Sequence, residues 1–457
     1  MIIINIYVLI PIFIISLKSK SFYLPFKIGD TNNNYNLIEN LFNYNLVVNI
    51  NIGEDNNKIK LPMSLSLEDN PTSILDYSAY NYSLYNSKLS KTYKTDNIKA
   101  KISYEDYNLI ISKETFNLND NIIMKNYSFI LATNYTKENY FKKYLFINNI
   151  TFGKIGLGLY VFNYDITYKT NFIHQLKEQK IISDFNFYFK FSKDFKSGKF
   201  YIGKLPSSFD KKKYIHVKAD KNGFGYQWMI IFQKIISDNH TIADHINTYI
   251  SIETGFLKAP TDYQHFIINN FFNEFFNKSI CFKNNFESSD DWFYIYCNKN
   301  FNIKLFKPLI FLYKNNDLNF NIEFTYKDLF IKKGNYYFFL IIFGKQKLTW
   351  DFGEPFFKKY KIIFDNENQI MSIYNKKFQS ENNFLNETKK NKNFFISIII
   401  IIILILIIII ISFYFIKFFK SMPRKKKSNE LLDDNYEYIS QNEYEKNNKL
   451  LELNHKK

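Results

Sequence analysis

The chain has 457 residues and a net charge of +17, and Asn, Lys, Ile, Phe and Tyr crowd it while Gly (13) and Pro (9) are scarce. An A/T-biased genome produces such a composition, and part of the charge sits in one cluster near the C-terminus, so the basic balance is not a nucleic-acid footprint and no nucleic-acid partner is expected. Two cysteines, and six histidines without ligand spacing, exclude a zinc site; no metal and no cofactor are expected.

In chain order, the first element is apolar from Met1 to Ser16 and runs into the polar Leu17-Lys-Ser-Lys-Ser21. It is too short for a comfortable membrane span, and residues 1–21 are read as a signal peptide, with an uncleaved anchor as the alternative because the positively charged start is missing. Residues 22–43 are assigned to a short propeptide or N-terminal segment. The local pattern that follows is mostly strand. Asn45 to Ile52, Asn126 to Leu131, Phe185 to Phe191 and Lys199 to Ile202 alternate or cluster aromatic and β-branched residues, with Gly, Asn and Asp between them. Helical spacing is confined to Phe172 to Gln179 and Asp262 to Phe276. A stem over 377–393 leads to Phe394–Ile416, 23 residues without a charge and with only two serines, long enough to cross a bilayer. Lys417, Lys420 and Arg424 to Lys427 follow directly and would hold that end on the cytoplasmic side, against anionic headgroups. The tail, 417–457, is polar and carries Tyr436-Glu-Tyr-Ile439, similar to a Y-x-x-Φ sorting signal. The expected arrangement is a single-pass type I protein of the secretory pathway (endomembrane, endolysosomal or cell surface), its bulk luminal or extracellular. Seven N-x-S/T sequons, at Asn81, Asn126, Asn134, Asn149, Asn239, Asn277 and Asn386, are then candidate glycosylation sites.

Between the two apolar segments small motifs succeed one another in an order that resembles the pepsin-like aspartic proteases. Val47-Val-Asn-Ile-Asn-Ile-Gly53 resembles the opening strand and its turn, Ser87-Lys-Leu-Ser-Lys-Thr-Tyr93 the segment before the flap, and Ile102-Ser-Tyr104 the flap hairpin with its tyrosine. Gly153-Lys-Ile-Gly-Leu-Gly158 is similar to the GILGLG turn, and Ser197 to Gly203 to the G-x-L-x-x-G-G strand. Tyr226-Gln-Trp228, Ala259-Pro260-Thr261 and Trp350 to Phe357 with Tyr360 to Asp365 are similar to the second-half motifs. The resemblance implies a mainly β, bilobal acid-protease fold, with pseudo-symmetric lobes at 44–204 and 205–376 around a central cleft that takes a peptide or protein. It also implies a disulfide between Cys281 and Cys297 in the second lobe, closing a loop whose chain-entropy gain is about 3 kcal/mol.

The chemistry departs from the family. An aspartic protease needs one Asp from each lobe, in D-T/S-G turns, sharing a proton and activating a water. Neither turn is intact. One count places Glu68 and Glu253 at the two positions; another, taken without a gap from Pro260, places Ser66 and Ser251 there and leaves no dyad. Asp69 is the rival carboxylate and would need a one-residue slip. The flap reads Tyr104-Glu-Asp-Tyr-Asn108, without the glycine-rich tip. Two readings follow: an aspartic-type endopeptidase by family, catalytically degenerate because both Asp are missing, or a non-catalytic receptor that binds a peptide or protein on the same fold.

Overall fold

The computed structural model describes residues 21–374, apart from 30–36, 43, 55–57, 77–83, 100–106, 120, 136–150, 160–168, 221–226, 287–288, 316–317 and 346. The expected signal peptide (residue 21 apart), stem, membrane segment and tail lie outside the described residues, as do Tyr104, Asn81, Asn149 and Asn386. Among the described residues no helix is long and apolar enough to cross a membrane.

Alternation of apolar and polar residues sets the strands, and their pairing makes two sheets, one 13-stranded and one 11-stranded. In Phe22–Ile28 every second side chain from Phe22 to Phe26 is buried. This strand sits between Leu46–Ile52 and Ser197–Ile202 and pairs antiparallel with both, so the N-terminal stretch is part of the first sheet. The same sheet takes Tyr214–Lys218, Lys361–Asp365 and Ile370–Tyr374 from the far end of the chain, through the ladder between Asn186–Phe191 and Lys361–Asp365. The second sheet is built from Met229–Ser237 onward. One apolar core runs through both, and Phe187, Phe364 and Trp228 meet in it with ring centroids 4.9–6.1 Å apart.

The mainly β architecture with two barrel-like lobes is the one the sequence implies. Its helices are short, as expected. Phe172–Glu178 is started by Asn171, whose side chain accepts the His174 N–H at 3.0 Å, and it buries Phe172, Ile173 and Leu176. The predicted second helix differs from expectation: Thr261–Ile267 passes through a wide turn at Ile268–Phe272 before Asn273–Asn277. The extra residue in that turn lets Phe272 bury fully and contact Phe301 and Phe339. The disulfide Cys281–Cys297 is present and joins directly paired positions of the neighbouring strands Cys281–Phe286 and Ser289–Asn298. Asn126, Asn239 and Asn277 are exposed, and Asn134 lies in the strand Ile122–Tyr135.

Candidate active site

Each sheet delivers one turn to a common centre by the same construction. In the first, Ile59–Ser66 runs parallel to Gly153–Gly156, with Ser66 opposite Gly156. In the second, His240–Ile250 runs parallel to Trp350–Phe352, and the Ser251 N–H donates to the Phe352 carbonyl at 3.0 Å. Both turns need a neighbouring glycine. A Cβ on Gly156 would lie 2.2 Å from the Asn70 carbonyl oxygen, and one on Gly353 would lie 2.2 Å from that of Phe256. Leu67 and Ile252 at the two strand ends are buried, which rotates Glu68 and Glu253 toward the space between the turns.

Ser66 and Ser251 are themselves fully buried and organise the turns. The Ser66 hydroxyl accepts the amides of Glu68 (3.2 Å) and Asp69 (3.0 Å) and donates to Asp69 Oδ2 at 3.0 Å. The Ser251 hydroxyl accepts the Glu253 amide at 3.2 Å and donates across the molecule to Glu68 Oε1 at 2.5 Å. A hydroxyl bonded to the amide two residues on closes a tight turn, as a short carboxylate would. All four residues offered by the two counts therefore meet: the serines at the strand ends, the glutamates facing inward.

Sequence reasoning missed one member of the centre. Lys154, in Gly153–Gly156, places its ammonium 2.9 Å from Asp69 Oδ2 and 3.3 Å from Glu253 Oε1. The second contact is an ion pair whose alignment falls short of a hydrogen bond. Burial works against the Lys154 charge, but Asp69 and Glu253 outweigh it and hold the ammonium above its ordinary pKa, so Lys154 is a cation and not a base. Burial also works against the Asp69 charge, yet Lys154 and the hydrogen bonds from Lys154 and Ser66 keep that carboxyl below its ordinary range. Glu253 is pushed up to about 7, first by burial and then by Glu68 and Asp69, against the pull of Lys154. The only hint in the sequence is a lone lysine inside an apolar strand between two glycines.

Two further features position the centre. The Trp228 indole, just ahead of the second sheet's first strand, donates to the Leu157 carbonyl at 2.9 Å, directly beside the first turn. The short helix Leu37–Phe42 sets its Leu41 carbonyl against the Gly255 N–H at 2.7 Å, just beyond Glu253, and packs Ile38 and Leu41 on Phe256, Leu340 and Ile342. Further out, the buried Glu114 accepts the hydroxyls of Tyr85, Ser90 and Thr92, tying down the segment that resembles the run before the flap.

Two β lobes that each present a strand-end turn, pseudo-symmetric at a shared centre, define the pepsin-like aspartic peptidase class. The family model for eukaryotic aspartyl protease matches residues 67–375, and the chain belongs to that family of hydrolases. No curated protein sequence matches it.

Proposed function

We propose that the protein is a membrane-anchored member of the aspartyl protease family whose centre no longer hydrolyses peptides. The observation that carries this reading is the partnering of the carboxylates. Aspartic-type hydrolysis requires two carboxylates that share one proton and hold a water between them. Here Glu68 is bonded to Ser251, and Glu253 stands against Lys154. The strand-end positions carry hydroxyls, and the nearest amine is a protonated ammonium that cannot activate them as nucleophiles. The anchor is the apolar run 394–416 with its basic flank, which places the lobes on the luminal or extracellular side. The role that remains for the fold is to hold a peptide or protein without cutting it.

The test is incubation of the detergent-solubilised full-length chain with a mixed peptide library from about pH 3 to pH 7, beside a Glu68→Ala, Glu253→Ala double variant. No cleavage by the folded wild type supports the degenerate centre. Cleavage that the double variant loses would establish a Glu-based peptidase instead.

A further inference from the structure

We propose that Lys154, Asp69 and Glu253 form a pH-sensitive clasp that ties the two lobes together at their centre. The inference does not rest on whether the protein cuts peptides, since it concerns how the two turns are held.

The geometry carries it. Lys154 and Asp69 belong to the first sheet and its turn, while Glu253 follows the strand His240–Ile250 of the second. One ammonium therefore spans the boundary, with the Lys154 and Glu253 side chains only 18% and 14% exposed. The bond between Ser251 and Glu68 crosses the same boundary beside it. Among the described residues the charged and hydroxyl groups facing Glu253 are Lys154, Glu68, Asp69 and Ser66. With Glu253 protonated, the centre holds two carboxylates and one ammonium. With Glu253 ionised it holds three carboxylates on that same ammonium: a charge that burial disfavours then faces both acids of the first lobe, and the pull of Lys154 only partly offsets this.

The direction follows by linkage. The folded pKa of Glu253, about 7, lies above its ordinary 4.5, so its contribution to stability is fully present below about pH 4.5 and is lost as pH rises through about 7. Asp69 lies below its ordinary 3.8, so its contribution is present above that value and is lost as pH falls through the lowered one. The two windows overlap in mildly acidic solution, where the clasp is closed, and it loosens toward neutral and alkaline pH.

The experiment is thermal unfolding of the full-length chain, followed by tryptophan fluorescence at about pH 5 and pH 8, for wild type, Glu253→Gln, Lys154→Met and the double variant. The amide of Glu253→Gln mimics the protonated acid. The wild-type midpoint should fall by several degrees between the two pH values, and Glu253→Gln should remove at least half of that fall by raising the midpoint at pH 8. At pH 8, where Glu253 is ionised and additivity is judged, Lys154→Met should lower the midpoint more in the wild-type background than in the Glu253→Gln background, because the two groups are coupled. If Lys154→Met does not fold, Lys154→Arg retains the charge and the Glu253→Gln comparison still decides. An unchanged pH dependence in Glu253→Gln, or purely additive effects of the two substitutions, overturns the clasp.

Discussion

The two central turns share a backbone and differ in polarity. Each begins at a buried serine, runs beside a parallel strand and depends on a glycine held against a carbonyl. In the first turn the position after the glutamate is Asp69, which binds Lys154; in the second it is the fully buried Thr254, whose hydroxyl accepts the Phe256 amide. The strand beside each turn differs in the same sense. Lys154 pairs with Ser64, just before Ser66, and its counterpart Asp351 pairs with Tyr249, just before Ser251. Asp351 is held within its own lobe by Lys347 at 3.0 Å and Lys258 at 3.9 Å, whereas Lys154 reaches across. A symmetric scaffold thus carries an asymmetric charge set, and the cation at the centre comes from the first lobe.

The largest effects should be those the two turns share. Gly156→Ala and Gly353→Ala each drive a Cβ into backbone and should cost about 3–5 kcal/mol, read as a fall in the denaturation midpoint; a clear inequality would break the equivalence of the turns. Next comes Lys154→Met, which at pH 8, where Glu253 is ionised, strips two carboxylates of their counter-ion and should cost about 3 kcal/mol, whereas Asp351→Asn, confined to one lobe, should cost less. Trp228→Phe keeps an aromatic ring but leaves the Leu157 carbonyl without its donor, an expected loss of about 1–2 kcal/mol by equilibrium unfolding. Smallest are Ser66→Ala and Ser251→Ala, at about 1 kcal/mol each; the second alone should release Glu68, visible as a change in the carboxyl chemical shift of that residue by NMR.

Much of the fold was legible because its signals are local. Period-2 runs such as Asn186–Phe191 and Ser197–Ile202 form the strands they suggest, and the ordered motifs point to the family that the match over 67–375 shows. The site was legible only as two rival counts, since Ser66 and Glu68 are separated by a single intervening residue and both occupy the centre in different roles. Sequence distance cannot distinguish a side chain that closes the turn from one that projects out of it. Lys154 was invisible for a different reason: Asp69 lies 85 positions before it and is brought near by a parallel pairing, while Glu253 lies far beyond it and arrives from the other sheet, and neither approach leaves a local trace. The place of Phe22–Ile28 in the first sheet is equally non-local, because its partners Leu46–Ile52 and Ser197–Ile202 lie far apart in the chain.

The last described strand, Ile370–Tyr374, is clamped between Tyr214–Lys218 and Lys361–Asp365, antiparallel to both. Tension applied to the chain beyond Tyr374 along the strand axis therefore loads two hydrogen-bonded ladders in shear, where many bonds must fail together and not one after another. The last described strand is thus a mechanically resistant point of attachment, and a tether beyond it transmits force into the sheet that both ends of the described residues help to build.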